Sequence, residues 1–386
     1  MGEPAPPLMQ IHALRAAAAS GREDALRGAL ADMSPTLARV GRALLAADRG
    51  AWQDVVDLLA GVTGVPTALD GLVSLALTRA LTHTGQLQLA EQIANGRLKR
   101  VPDDVDVRTA RARAWFEAGL VQEAADEFAE VLAVVPRHAG ACLGLGEVAL
   151  ATGNLSKASD CLQAACVAAP LAAEPVVALA RLFLVAGMPG DGARQVEALI
   201  GVGQRGNDPR LASSLAELRV AAGMLDQVPP LLEQLEQAPA LDDPRRIELA
   251  RLWAETGRSA PIRRLSSSAV HPGIQALLSA VADGLDGTDP LPGLDEAAVM
   301  LPNHWWVHER RAHALLKADD DKGASAAAAV ALRLAPRAAA VRVTAAAARL
   351  REGEDSHARR ILKVAARHTG LWPSVRAVAR EALARS

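Results

Sequence analysis

The segment DVRTARARAWFEAGLVQEAADEFAEVLAVVPR (residues 106–137) is followed by AGACLGLGEVALATGNLSKASDCLQAACVAAP (residues 139–170), and the two segments share their glycine and proline spacing. Gly119 and Gly153 are 34 residues apart, and so are Pro136 and Pro170. One helix-length segment precedes each glycine and another separates it from the next proline. Since Gly permits a positive φ and Pro halts a helix, the pattern predicts a repeating helix, turn and helix.

The same phase continues along most of the chain, and a fixed period of this length is typical of helical repeat proteins. It is strong over residues 71–190 and 303–368 and weaker elsewhere. The strong positions outside the two quoted segments are Gly85, Gly187, Pro102, Ala312, Ala324, Ala331, Pro336, Gly353, Ala358, Leu362 and Ala365. The weaker copies pair Gly50 with Pro66, Gly223 with Pro229, and Gly257 with Pro261.

The two quoted segments resemble tetratricopeptide repeats. In that family a small residue lies midway in the first helix (helix A), Gly in the turn, Ala early in the second helix (helix B), a large apolar residue four further on, and Pro at the end. These places hold Ala112, Gly119, Ala124, Phe128 and Pro136, then Gly146, Gly153, Ala158, Leu162 and Pro170. The resemblance implies an all-α solenoid, a right-handed superhelix of about ten antiparallel helix pairs from near Leu8 to Trp372, then a last helix.

The strength of the repeat pattern predicts a division of the chain. We expect a disordered N-terminus at 1–7 and a capping helix at 373–386. Between them the pattern predicts degenerate helical repeats at 8–70, a well-phased block at 71–206, degenerate repeats at 207–302 with an irregular joint near 284–294, and a C-terminal block at 303–372. The joint is acidic, because no Lys or Arg occurs between Arg264 and Arg310.

Composition supports an all-helical chain. There are 83 Ala, the best helix former, but no Tyr and only 3 Phe. The 42 Lys and Arg nearly balance the 44 Asp and Glu, so no global field attracts nucleic acid or an anionic membrane. The excess of Ala and Arg is typical of a GC-rich genome and favours a bacterial origin.

Several features favour a cytoplasmic location. The first residues lack the pattern of a secretory signal, and no apolar stretch is long enough to span a membrane. Three Cys, at 142, 161 and 166, are too few and odd in number for a disulfide framework, so we interpret them as buried thiols in a reducing compartment.

The segment GVGQRG (residues 201–206) matches the glycine pattern of dinucleotide-binding proteins. That pattern binds a pyrophosphate only between a strand and a helix of a βαβ unit. Helical patterns lie on both sides of it here, so we interpret it as a loop between repeats. No other enzyme signature occurs, and we expect a protein without catalytic activity or cofactor.

The resemblance also implies a binding surface, because helix A lines the concave groove in this family and its ninth repeat position points into it. Charged residues hold that position in six repeats, and we call them the charge ladder: Arg79, Arg113, Glu147, Arg181, Glu217 and Arg251. Apolar residues lie one turn away, among them Phe116, Leu143, Leu150, Val177 and Leu184. Such a groove would suit a protein or peptide with apolar anchors and acidic groups, since Arg presents a planar fork of donors.

Alternatives to this binding surface stay open. The ladder could be ordinary solvated charge, since an exposed ion pair contributes only ~0–1 kcal/mol. The Lys and Asn pattern with which some family members grip a C-terminal carboxylate is absent. His304, His308 and His313 could suggest a metal site, but a structural or capping role is favoured because no Cys pair or fixed carboxylate spacing accompanies them.

The C-terminal part is basic, with 12 Lys or Arg against 4 Asp or Glu from Arg333 to Ser386. It could bind nucleic acid, an acidic protein or the acidic stretch of another copy. The function that the sequence favours is a scaffold or adaptor that binds proteins through the groove. The alternative is a nucleic-acid-binding helical repeat protein.

Overall fold

The fold is all-helical wherever the computed structural model describes the chain, which is residues 5–19, 23–31, 33–202, 208–237, 241–353 and 355–385. Over these ranges there is no strand, and every regular element is an α-helix or a single 3₁₀ turn. The expected all-α class is therefore confirmed. The helices follow one another as antiparallel pairs, each joined by a short turn.

The chain divides into two compact units, Met1–Pro170 and Leu171–Ser386. The helices of unit 1 are α1 (Pro7–Ala19), α2 (Glu23–Ala31), α3 (Pro35–Asp48), α4 (Trp52–Leu59), α5 (Asp70–His83), α6 (Leu87–Leu98), α7 (Val105–Glu117), α8 (Val121–Val134), α9 (Ala139–Ala151) and α10 (Leu155–Ala168). A 3₁₀ turn at Thr67–Leu69 precedes α5.

Unit 2 holds the remaining helices. They are α11 (Glu174–Val185), α12 (Pro189–Val202), α13 (Pro209–Ala221), α14 (Pro229–Glu236), α15 (Asp243–Glu255), α16 (Ser259–Ser268), α17 (Pro272–Leu285), α18 (Leu291–Met300), α19 (Trp305–Lys317), α20 (Asp321–Leu334), α21 (Ala339–Glu352), α22 (Ser356–Arg367) and α23 (Pro373–Ala384). A 3₁₀ turn at Leu225–Gln227 precedes α14.

The repeat positions read from the sequence form the core between paired helices. Ala112 on α7 and Ala124 on α8 are fully buried and allow the two helices to approach closely. Phe128, four residues after Ala124, is also fully buried and packs between α8 and the next helix, α9. Burying such a side chain contributes about 1.5–3 kcal/mol, so each repeat depends on its neighbour for stability.

Glycine ends helix A in the well-phased repeats because the backbone there enters the left-handed region. Gly85, Gly119, Gly153 and Gly187 have φ values of 76°, 84°, 79° and 71°. This confirms the reason given for the recurring glycine. After α19 the same place is held by Asp319, with φ of 59°, a conformation that Asp tolerates better than most side chains.

Side chains that cap the helix N-termini fix where several helices begin. Asp104 accepts a hydrogen bond from the backbone N–H of Val107 at 3.2 Å, and Asn154 accepts one from Lys157 at 3.1 Å. Such caps satisfy donors that the first turn of a helix leaves unpaired. They recur at Asp242 and Asp320 in unit 2.

In the acidic stretch of unit 2 the loop is shorter than the sequence pattern predicts. Helix α17 continues to Leu285 and α18 begins at Leu291, so the turn between them spans residues 286–290. Arg263 on α16 pairs with Asp283 at 2.9 Å and with Asp286 at 2.6 Å, which ties the turn to the preceding repeat. The domain boundaries proposed from the sequence stay predictions.

Candidate functional site: the charge ladder and a C-terminal crossing segment

The charge ladder lies on the A helices of both units. Arg79, Arg113 and Glu147 are on α5, α7 and α9 of unit 1, and Arg181, Glu217 and Arg251 are on α11, α13 and α15 of unit 2. Each ladder residue is thus carried by the first helix of its pair. The ladder residues of unit 1 and those of unit 2 make different contacts.

In unit 1 the ladder is joined by an ion pair between adjacent repeats. The guanidinium of Arg113 donates to the carboxylate of Glu147, which lies one repeat further on. Arg113 also pairs with Glu117 one turn along the same helix at 3.1 Å, and its guanidinium lies 5.7 Å from the ring centroid of Phe116. Leu143 and Leu150 flank Glu147 on α9 and are half-buried.

Arg79 begins the unit 1 ladder and is exposed. Its guanidinium lies 5.7 Å from the ring centroid of Trp52, an arrangement that attracts a cation to the face of the ring. The same indole stacks on His83, with ring centroids 4.4 Å apart and planes 8° from parallel. Unit 1 therefore presents an aromatic and cationic surface formed by Trp52 at the start of α4 and by Arg79 and His83 on α5.

In unit 2 the ladder residues do not pair with each other. Arg181 is exposed, and Glu217 and Arg251 are half-buried. Among the described residues, none forms a hydrogen bond or ion pair with any of the three. The guanidinium of Arg251 instead stacks on two indoles, 4.9 Å from the centroid of Trp305 and 5.0 Å from that of Trp372.

Residues 368–376, which we call the crossing segment, comprise the loop after α22 and the first turn of α23, and they contact A helices far back in the sequence. The hydroxyl of Thr369 donates to the carbonyl of Gly187 at the end of α11. Gly370 lies against the carbonyl oxygen of Leu184 so closely that a Cβ at this position would be 1.7 Å from that oxygen. Only glycine fits there without a shift of the backbone.

The rest of the crossing segment contacts the next two A helices. The backbone N–H of Ser374 donates to the carboxylate of Glu255 at 3.1 Å, and the Ser374 hydroxyl donates to the same carboxylate. A side chain at the end of α15 thereby caps the N-terminus of α23. Arg376 donates to the carbonyl of Ala221, the last residue of α13, at 3.4 Å.

The predicted groove positions of unit 2 are therefore close to a segment of the chain itself. Leu184 contacts Gly370 through its carbonyl, and Arg251 contacts Trp372. Sequence reasoning placed Val177, Leu184 and Arg251 on one face but missed the crossing segment. The contacts of this segment join residues 119 to 182 positions apart, and the pattern of neighbouring repeats does not encode them.

Other charged pairs in unit 1 have a structural explanation. Glu127 on α8 is buried and accepts hydrogen bonds from Arg108 at 2.8 Å and Arg111 at 2.7 Å, both on α7. Burial raises the pKa of this carboxyl, but the two guanidinium groups outweigh it, so the pKa lies below its usual value. These bonds join the two helices of one repeat.

The three histidines lie on α19 or next to it. His304 is the residue before α19, as expected, and its side chain makes no capping hydrogen bond. The ring Nε2 of His308 lies 2.8 Å from the Pro302 carbonyl oxygen. Burial and, to a smaller extent, the nearby Arg310 lower the pKa of His313 to about 4. In the part of the chain that the structure describes, no cluster of three or more His, Cys, Asp or Glu could hold a metal ion.

The remaining sequence candidates are placed as follows. Cys142 and Cys166 are buried, whereas Cys161 is half-buried. Of GVGQRG, Gly201 and Val202 end α12, and residues 203–206 lie outside the described residues. No helix within the described ranges has the length and apolar character required to cross a membrane.

Residues 116–182 match the family model described as tetratricopeptide repeat. No curated protein matches. The match covers the turn and helix B of one strong repeat, the whole of the next repeat and most of the helix A that follows, so it coincides with the region where the glycine and proline spacing is most regular.

One solved structure with a TM-score above 0.5 supports the fold, and two others are similar to part of the chain. A chain of the Cut9–Hcn1 hetero-tetramer of the APC/C is 16% identical, with a TM-score of 0.53; the alignment covers 84% of this chain and 59% of that one. A tetratricopeptide repeat protein from Parabacteroides merdae is 15% identical, with a TM-score of 0.41 and coverages of 64% and 98%. A thermophilic protein of the same kind in Thermus thermophilus is 24% identical, with a TM-score of 0.42 and coverages of 47% and 98%.

Proposed function

Since residues 116–182 match the tetratricopeptide repeat model and the described chain continues as similar helix pairs, we propose that the protein is a non-enzymatic scaffold or adaptor that binds another protein through the A-helix face of unit 1. Repeats of this kind give long continuous surfaces, and the chemistry of an assembly built on them resides in the partners. The observation that supports unit 1 as the binding face is its combination of charge, aromatic rings and half-buried apolar side chains on successive A helices.

The binding surface consists of the unit 1 ladder and its apolar flanks. Phe116, Leu143 and Leu150 are half-buried and offer apolar contact next to the Arg113–Glu147 pair. Aromatic and Arg side chains are the residues that most often dominate protein interfaces. A partner with apolar anchors and acidic groups would place carboxylates on Arg79 and Arg113. Micromolar affinity requires about 8 kcal/mol, so several such contacts must act together.

Unit 2 is less suited to binding an extended partner because the crossing segment already contacts its A helices. The ends of α11, α13 and α15 contact the crossing segment, so the unit 2 ladder is not part of the proposed binding surface. We propose the cytoplasm as the location of the protein, since the three cysteines are thiols and not disulfides, which suits a reducing compartment.

The test is affinity capture of partners by the full chain, with charge reversal at one ladder position. Arg113→Glu should reduce recovery of the main partner at least tenfold, because it places three carboxylates together and removes the donor fork. Arg137→Glu makes the same charge change at an exposed site after α8 and should leave recovery unchanged. Circular dichroism should show equal helix content in both variants.

A second variant separates loss of binding from loss of structure. Replacing Leu143 and Leu150 together by Ser removes the apolar flanks and leaves the ion pair in place, and it should also reduce recovery. Equal recovery of the same partner by all variants would overturn the proposal. So would a captured species that disappears on nuclease treatment and is lost steeply with added salt, which is the behaviour of nucleic-acid binding.

A further inference from the structure

Unit 2 contains a cavity of about 300 Å³ between α13 and α15. Its apolar lining includes Val177, Leu249 and Leu252, and the indole of Trp372 in the crossing segment forms part of its wall. Glu217 and Arg251, two members of the charge ladder, also line it. The size is at the lower end of the range for small-molecule sites, and the mixture of apolar walls with a few polar groups is typical of them.

Glu217 is a carboxylate without a partner inside this cavity. No described residue donates a hydrogen bond to it or pairs with it. Burial raises the pKa of its carboxyl, and Glu248 adds to that effect, while Arg251 and Arg181 oppose it. A carboxylate in such a position is stabilised by a donor that the protein does not supply.

Arg251 is the matching cation, and its geometry is fixed. Stacking on Trp305 and Trp372 holds the plane of the guanidinium. Burial lowers the pKa of this group, and Glu217 and Glu309 oppose that effect. Because no described residue accepts a hydrogen bond from Arg251, its N–H groups are available to a bound acceptor. A planar guanidinium held in this way is preorganised for a carboxylate.

The two charges attract each other but no ion pair joins them, so a ligand must satisfy both. A purely cationic ligand would meet the unpaired Arg251, and a purely anionic ligand would meet Glu217 and Glu248. The other cations of the lining keep this balance, because Arg245 offsets the charge of Glu248 and Arg210 is already paired with Glu174 at 2.7 Å and with Asp208 at 2.8 Å. A molecule that carries one charge of each sign at a short distance fits both groups.

We propose that this cavity binds a small zwitterion with an apolar body, an α-amino acid of the leucine type. Its ammonium group pairs with Glu217 and its carboxylate with Arg251. Its side chain packs against Val177, Leu249 and Leu252. This activity is separate from the protein-binding surface proposed for unit 1, and each can fail without the other.

The experiment is isothermal titration of the full chain with L-leucine and with two analogues that each lack one charge. L-leucine should bind, while 4-methylpentanoate, which lacks the ammonium group, and 3-methylbutylamine, which lacks the carboxylate, should bind at least tenfold more weakly. The absence of heat with L-leucine would overturn the proposal. Equal binding of either analogue would also overturn it, because one of the two charges would then have no role.

Variants locate the site. Glu217→Gln and Arg251→Met should each weaken L-leucine binding at least tenfold. Glu233→Gln makes the same change as the first variant at an exposed position on α14 outside the cavity, and should bind as the wild type does. If Arg251→Met reduces helix content, Glu217→Gln carries the test alone, since it alters neither size nor stacking. Unchanged affinity in Glu217→Gln would place the ligand elsewhere.

Discussion

Gly144 allows a direct test of the repeat packing, because its replacement by Ala should destabilise the protein although Ala is the better helix former. Gly144 is in the middle of α9 and is buried. A Cβ there would lie 2.2, 2.5 and 2.6 Å from three ring carbons of Phe128 on α8. The Phe128 ring is fully buried and has no solvent into which it could move.

Two opposing effects decide whether Gly144→Ala raises or lowers the free energy of unfolding. Replacing Gly by Ala within a helix gains about 1 kcal/mol of intrinsic propensity. Inserting a methyl group into a filled core costs about 1–3 kcal/mol, and three contacts this short put Gly144 at the upper end of that range. We therefore expect Gly144→Ala to lower the free energy of unfolding by about 1–2 kcal/mol.

The matched control is Gly96→Ala on α6, where a Cβ would meet no atom within 4 Å. This variant should be more stable than the wild type by up to about 1 kcal/mol. Urea denaturation followed by far-ultraviolet circular dichroism measures both, and hydrogen exchange of the α8 and α9 amides locates the effect. A Gly144→Ala protein at least as stable as the wild type would refute the close packing of these helices. Phe128→Leu in the same chain should recover part of the loss.

Three further predictions concern unit 2. The pKa of His313, about 4, is lower than its unfolded value near 6.5, so the unfolded chain binds the proton first and stability should fall as the pH drops between these values. The loss reaches about 3 kcal/mol at most, and His313→Gln should abolish it in denaturation curves at pH 7 and pH 4.5. Trp372→Ala removes the stack on Arg251 and half-buried packing, and should cost about 2 kcal/mol and speed hydrogen exchange in α23. Thr344→Val leaves the buried Glu309 without a 3.0 Å hydrogen bond and should lower the thermal midpoint through a loss of about 1–3 kcal/mol.

Much of the fold could be predicted from the sequence because each repeat is specified locally. Gly119 and Gly153 predicted left-handed turns, and Phe128 and Leu162 predicted the buried side of helix B, as the structure confirms. These residues act within one helix pair or between adjacent pairs. The 34-residue period is therefore enough to assign the structural roles of these residues, because those roles do not depend on the rest of the chain.

The crossing segment could not be predicted in the same way. Whether Thr369 reaches Gly187 depends on small rotations between successive repeats, which add up over more than 180 residues. No short sequence motif encodes the sum of these rotations. The sequence did hold a weak signal, since Gly370, Trp372 and Pro373 interrupt the repeat where it ends, and a close backbone approach is one reason for such a glycine.

The charge ladder shows how one repeat position takes two physical roles. Arg113 and Glu147 are separated by one period and carry opposite charge, and they pair, so this position joins adjacent repeats in unit 1. Glu217 and Arg251 have the same separation and the opposite order of charge, yet they do not pair. The Arg251 guanidinium instead stacks on Trp305 and Trp372. An aromatic contact from the crossing segment thus leaves two unpaired charges beside a cavity, and this is the arrangement that a dipolar ligand would complete.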